Sequence, residues 1–114
     1  MANGPITKVT NDSGSNYCKM PDGTLICWGY VIKTVNSSEW TSWGSAYYNQ
    51  VDPNLTWAVP FVSSPYVIAT NYSGDAYVTS ISGTTTNCGK FYAMRPHLDT
   101  VTIGFNIVAI GRWK

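Results

Sequence analysis

The chain has 114 residues, of which 44% are hydrophobic and 11% are charged, and its formal net charge at pH 7 is +1. This length suits one domain with its own core, and so small a charge gives no long-range attraction to nucleic acid or to an anionic membrane surface. No stretch approaches the roughly 18 uninterrupted apolar residues of a membrane span, so we predict no membrane insertion. Thirteen Thr, eleven Ser and nine Asn supply the solubility, and they favour strands and turns over helices.

Residues 1–15 are polar and show no hydrophobic period, which predicts a linker or shaft-proximal segment ahead of a single domain at 16–114. Segments rich in Val, Ile, Thr and aromatic residues recur through that domain, and turn signals separate them. No window shows a capped period of 3.6 residues. We therefore predict an all-β fold, an antiparallel β-sandwich of about six to eight strands. The predicted strands are 16–20, 25–33, 55–62, 66–71, 76–82, 88–94 and 101–111.

The first two predicted strands form a hairpin around Pro21-Asp22-Gly23. A two-residue turn at Asp22 and Gly23 would place Cys18 opposite Cys27, where the two could pair. A type I turn with Pro21 at its second position and Gly23 as a left-handed bulge would place Cys18 opposite Ile26. Pro21 has no N–H to give to a ladder, which favours the bulged register and free thiols, as in a protein made in a reducing cytoplasm.

Two predicted strands carry apolar residues on both faces, 25–32 and 101–111. A sandwich covers one face of each strand, so the other face needs a second cover. Another copy of the chain is the simplest cover, which predicts a homo-oligomer; the alternative is that the 34–54 loop lies over these strands. The predicted subunit interface consists of Trp28, Tyr30, Ile32, Phe105, Val108 and Ile110.

Groups for catalysis are scarce: the chain has one histidine (His97), one glutamate (Glu39) and five aspartates, several of them in turns. Hydrolysis needs a nucleophile with a base, or two carboxylates that act as acid and base. Metal sites need closely spaced ligands, and the three cysteines are scattered. We predict a protein that is not an enzyme and that uses no cofactor or metal.

Aromatic residues are abundant in residues 39–50, where Trp40 and Trp43 alternate with small polar residues. Such rings can stack on the apolar face of a sugar. In an up-and-down arrangement, the 71–75 and 95–100 turns emerge at one end of the sandwich and bring polar groups together. The predicted ligand-binding residues are Trp40, Trp43, Tyr72, Asp75, Arg95, His97 and Asp99. Ordinary packing and turn chemistry remain the alternative for each of them.

Four segments, in this order, resemble the C-terminal domains of bacteriophage tail fibres: KMPDGTLICWG at 19–29, VPFVSSPYV at 59–67, GKFY at 89–92 and IVAIGRWK at 107–114. That family is similar to the H-type lectins. The resemblance covers residues 16–114 and departs from the pattern at Ile107, where many relatives have Trp, so a role carried by that ring cannot be transferred.

The resemblance implies a homotrimer at the tip of a fibre in the virion, made in the bacterial cytoplasm, which recognises a bacterial surface glycan. The scarcity of catalytic groups predicts that it binds this glycan without cleaving it. Two other functions stay open. The domain could be a structural cap that trimerises the fibre without binding a receptor, or it could be a small glycan depolymerase.

Overall fold

The computed structural model describes residues 16–79 and 81–114, and within them the chain forms an all-β sandwich. The predicted linker at 1–15 lies outside the described residues. One short 3-10 helix, Ser37–Glu39, follows the second strand. The strands are β1 (Tyr17–Lys19), β2 (Thr24–Val35), β3 (Thr41–Trp43), β4 (Ala46–Val51), β5 (Tyr66–Ser73), β6 (Tyr77–Thr79), β7 (Phe91–Arg95) and β8 (Val101–Arg112).

The strands form two antiparallel sheets of four, which confirms the predicted fold class. Sheet I has the order β1-β2-β8-β5, and sheet II has the order β3-β4-β7-β6. The chain crosses between the sheets after β2, β4, β5 and β7, so it does not run as a simple meander. The two long strands β2 and β8 pair along twelve residues at the centre of sheet I. Both are the strands whose sequences are apolar on two faces.

The β1–β2 hairpin has the bulged register that the sequence favours. Cys18 lies opposite Ile26, and Tyr17 lies opposite Cys27. Gly23 has a φ of 100°, a left-handed conformation that costs glycine little, and its N–H donates to the carbonyl oxygen of Met20 at 3.1 Å. All three cysteines are free thiols.

The core lies between the sheets and takes alternate residues from each long strand. On β8 the inward residues are Ile103, Phe105, Ile107 and Ala109. Phe105 packs edge to face on Phe91 of sheet II, with the ring centroids 5.1 Å apart. The prediction that Phe105 belongs to a subunit interface is therefore wrong. Side chains alternate along a strand, and position 105 has the parity of the buried residues and not of Val108 and Ile110.

Two regions differ from the predicted elements. Residues 55–62 form no continuous strand; they make one bridge, Thr56 to Asn87. Trp57 and Phe61 from this segment are buried core residues, and their backbone N–H groups donate to Thr86 and Thr85. Pro60, which has no N–H, interrupts any ladder there. The 34–54 region, expected as a loop, contains β3 and β4 and so forms half of sheet II.

Burial affects the chemistry of the thiol of Cys88. Burial raises the pKa of Cys88 to about 11, and the Asp52 carboxylate contributes in the same direction. Burial also raises the pKa of Cys27. Because the folded state holds the Cys88 proton more tightly than the unfolded chain does, this contribution to stability is complete below about pH 9 and is lost as the pH rises toward 11.

We expect the stability advantage of the native protein over a Cys88→Ala variant to shrink between pH 8 and pH 10.5. Urea unfolding of both proteins under reducing conditions measures the difference between their free energies of unfolding at each pH. The comparison needs no further control, because the titrations of the tyrosine and lysine side chains are common to both proteins. If the difference in free energy of unfolding stays constant with pH, the result would contradict the raised pKa of Cys88.

Candidate binding surfaces

The outer face of sheet I is apolar and open to solvent. Trp28 is 38% exposed, and Tyr30 and Ile32, which follow it on the same face of β2, are 66% and 56% exposed. Register places Trp28 beside Val108 of β8, which in turn lies beside Ile68 of β5. We call this surface the apolar face; it consists of Trp28, Tyr30, Ile32, Tyr66, Ile68, Val108 and Ile110. It includes five of the six predicted interface residues.

Tyr72 adjoins the apolar face, although the sequence predicted it in a polar cluster. A Cβ at Gly104 of β8 would lie 2.7 Å from Cζ of Tyr72, so the ring rests directly on the backbone there. Gly104 allows this approach because it has no side chain. A register shift in β5 between Asn71 and Ser73 accompanies the placement. Such an irregularity redirects side chains from their expected face, and turn positions alone cannot reveal it.

Three predicted ligand residues, Arg95, Asp99 and Trp40, form a structural cluster in which Arg95 and Trp40 are buried and Asp99 is exposed. Arg95 is only 5% exposed, and its Nη1 donates to Oδ1 of Asp99 at 2.6 Å. The Trp40 Nε1–H donates to the carbonyl oxygen of Asp99 at 2.9 Å, and the Arg95 guanidinium lies 5.8 Å from the Trp40 ring centroid. These contacts hold the β7–β8 loop against the body of the sandwich. Trp40 is buried, so its ring is not available for stacking on a ligand.

Asp75 and His97 lie at one cavity of about 340 Å³, which we call the polar cavity. The β5–β6 connection supplies Asp75, and the β7–β8 loop supplies His97. The ends of β5 and β7 lie at the same end of the sandwich, which is why these two turns meet. The other lining residues are Asn71, Ala76, Tyr77 and Pro96. Of the predicted polar cluster, the structure thus brings Asp75 and His97 together and leaves Tyr72, Arg95 and Asp99 outside the lining.

Trp43 lies on the outer face of sheet II, at a second cavity of about 300 Å³, which we call the aromatic cavity. Its other lining residues are Tyr48, Thr79, Tyr92 and Met94. The Tyr48 and Tyr92 rings pack edge to face, with centroids 5.4 Å apart. Among these residues only Trp43 was predicted from sequence. The alternation of Tyr92 and Met94 with buried Phe91, Ala93 and Arg95 marks one face of β7, but the sequence does not show that β3, β4 and β6 complete the cavity.

The described part of the chain holds no group of three or more His, Cys, Asp or Glu side chains placed to bind a metal ion. Among residues 16–79 and 81–114 no helix has the length and apolar character needed to cross a membrane.

The fold is shared with solved structures of bacterial tail fibres. A C-terminal fragment of the R1 pyocin fibre of P. aeruginosa and an N-truncated R1-type pyocin tail fibre each superpose with a TM-score of 0.56 over 88% of this chain, at 18% sequence identity. The chain spans 27% of the longer fibre chain and 82% of the shorter one. No protein-family profile and no curated protein matches the sequence. At this identity the likeness shows a common fold, and the similarity to H-type lectins stays a prediction.

Proposed function

We propose that this chain is the receptor-binding end of a phage-type tail fibre, carried on the virion, which attaches to a saccharide of the bacterial surface. The observation that carries the proposal is the fold shared with R1 pyocin fibres across 88% of the chain. The four sequence segments that resemble phage fibre tips extend over the same domain and support the same function independently of the superposition.

The proposed assembly is a homotrimer that buries the apolar face. A contiguous patch of seven large apolar side chains on one side of a small domain is typical of an interaction surface. The resemblance to fibre tips favours three copies. Burial of this face would also explain why β2 and β8 are apolar on both sides.

The proposed attachment is binding without cleavage. Asp99 is engaged with Arg95, and Asp22 and Asp52 accept backbone hydrogen bonds within their own turns, from Thr24 and Asn54. Glu39 accepts a hydrogen bond from the backbone N–H of Asn36. Among the carboxylates and the histidine in residues 16–79 and 81–114, Asp75 and His97 at the polar cavity are then the groups left to contact sugar hydroxyls. Each site should bind weakly, and three copies on one fibre would raise the avidity through effective concentration.

A structural cap is the second candidate, because an exposed apolar face of this kind is typical of an assembly interface whether or not a receptor is bound. The deciding experiment measures the solution mass of the protein by light scattering and applies the same preparation to an array of purified bacterial surface polysaccharides. A trimer that binds one of them is the expected result. A trimer that binds none on the array would favour the structural cap, and release of reducing sugar would identify a depolymerase.

A further inference from the structure

The two cavities on the sheet II side are neighbours. Tyr77 lines the polar cavity, and Met94 lines the aromatic cavity. These two residues are directly opposite each other in the β6–β7 ladder. Cross-strand partners on one face lie roughly 5 Å apart at their Cβ atoms. The linings of the two cavities therefore adjoin at this pair of side chains.

Tyr77 is 75% exposed, so its ring is available to solvent between the cavities. Trp43, which is 63% exposed, lies at the opposite edge strand of the sheet. The rings of Tyr48 and Tyr92 lie between these two edges. The outer face of sheet II thus presents a row of aromatic side chains that leads to the polar groups at Asp75 and His97.

The two cavities together extend over more than the length of a single sugar. Tyr92 of the aromatic cavity and Pro96 of the polar cavity are four residues apart on nearly extended backbone, roughly 13 Å. A monosaccharide in one cavity would leave the other empty. A chain of several sugars could fill both, with ring faces on the aromatic side chains and hydroxyls at Asp75 and His97.

The charges of the lining residues select among glycan chains. No lysine or arginine is among the described residues that line either cavity, and Asp75 contributes a carboxylate. A chain rich in uronic or sialic acid would bring like charges to Asp75 without a Lys or Arg to compensate. Uncharged hexoses carry no such cost, and their apolar ring faces suit Trp and Tyr.

We propose that the aromatic and polar cavities form one extended site for an internal stretch of an uncharged glycan chain, with Trp43, Tyr77 and Tyr92 as stacking residues. This inference rests on the proposed function, since it specifies the saccharide and where it binds. It differs from a site for a terminal sugar, which would occupy the polar cavity alone.

The test begins with the native protein on the polysaccharide array, with neutral and acidic polysaccharides as separate arms. Fragments of one to six sugars, cut from the neutral polysaccharide that binds most strongly, are then titrated by calorimetry. We expect affinity to rise with fragment length. In Trp43→Ala the longest fragment should bind roughly 3- to 10-fold more weakly, the size of one lost aromatic contact, while the shortest fragment binds as before.

Tyr77→Ala should also weaken binding of the longest fragment, and because Tyr77 lines the polar cavity it should weaken the shortest fragment as well. Both replaced residues are exposed enough for the variants to fold. Val62→Ala is the matched control, because Val62 is an exposed apolar residue outside both cavities and the apolar face. Asp75→Ala should weaken fragments of every length.

The outcomes separate the two proposals. If the native protein binds no polysaccharide on the array, the proposed function fails and the extended site fails with it. If it binds polysaccharide but prefers acidic chains, shows no dependence on fragment length, or is unaffected by Trp43→Ala and Tyr77→Ala, the extended site is overturned and the receptor-binding function stands.

Discussion

Replacing Trp28 by glutamate is expected to convert the proposed homotrimer into monomers. Trp28 lies in the middle of the apolar face, beside Val108, and three copies of the change would place three carboxylates in the assembled interface. An ion removed from water without a partner costs several kcal/mol even after relaxation. The mass measured by light scattering should fall from three times 12.5 kDa to 12.5 kDa.

The control for this experiment is Trp43→Glu, the same substitution on the outer face of sheet II. Trp43 is more exposed than Trp28 and lies outside the proposed interface, so its replacement should leave the mass unchanged. Circular dichroism would verify that both variants are folded. A native protein that is monomeric, or a Trp28→Glu variant that remains trimeric, would show that the apolar face is not the assembly surface.

Replacing Phe105 by alanine is expected to lower the free energy of unfolding by about 3–5 kcal/mol, the usual cost of removing a fully buried phenylalanine. The ring is 0% exposed and packs against Phe91 from the opposite sheet, so its removal leaves a cavity at the contact between the two layers. Urea unfolding measures the change. The Trp28→Glu background removes any contribution from assembly.

Val108→Ala is the matched comparison for Phe105→Ala, because both residues are on β8 but on opposite faces. In the monomeric background Val108→Ala should cost much less, since its side chain is only partly buried. In the native background it should weaken assembly instead. A loss below about 0.5 kcal/mol in Phe105→Ala, the range of surface substitutions, would contradict the inward position of this residue.

The local sequence predicts several features correctly. Pro21 and Gly23 determine the bulged hairpin and so keep Cys18 away from Cys27, because turn geometry depends on neighbouring residues alone. The apolar parity of β2 places Trp28, Tyr30 and Ile32 on one face, and the structure leaves that face uncovered. Two turns predicted to meet, at Asp75 and His97, line one cavity, although the up-and-down arrangement on which that prediction rested is not the one the chain adopts.

The wrong predictions concern residues whose position depends on contacts between strands or on which face of a strand is inward. Phe105 belongs to a strand that is apolar on both sides, and only its pairing with β2 and its packing on Phe91 decide which side is inward. Arg95 and Asp99 are polar residues near a turn, which is also how a binding residue looks in sequence. Their ion pair and the burial of Arg95 become visible only in three dimensions.

The sequence by itself determined the all-β class, the hairpin register and the surplus of apolar strand surface, because each depends on short-range alternation and turn chemistry. The tertiary structure decided which of those surfaces meet. The aromatic cavity takes its lining from four strands, with residues from Trp43 to Met94. Long-range pairing and packing fix the partners of each strand, and no local pattern in the sequence reveals that pairing.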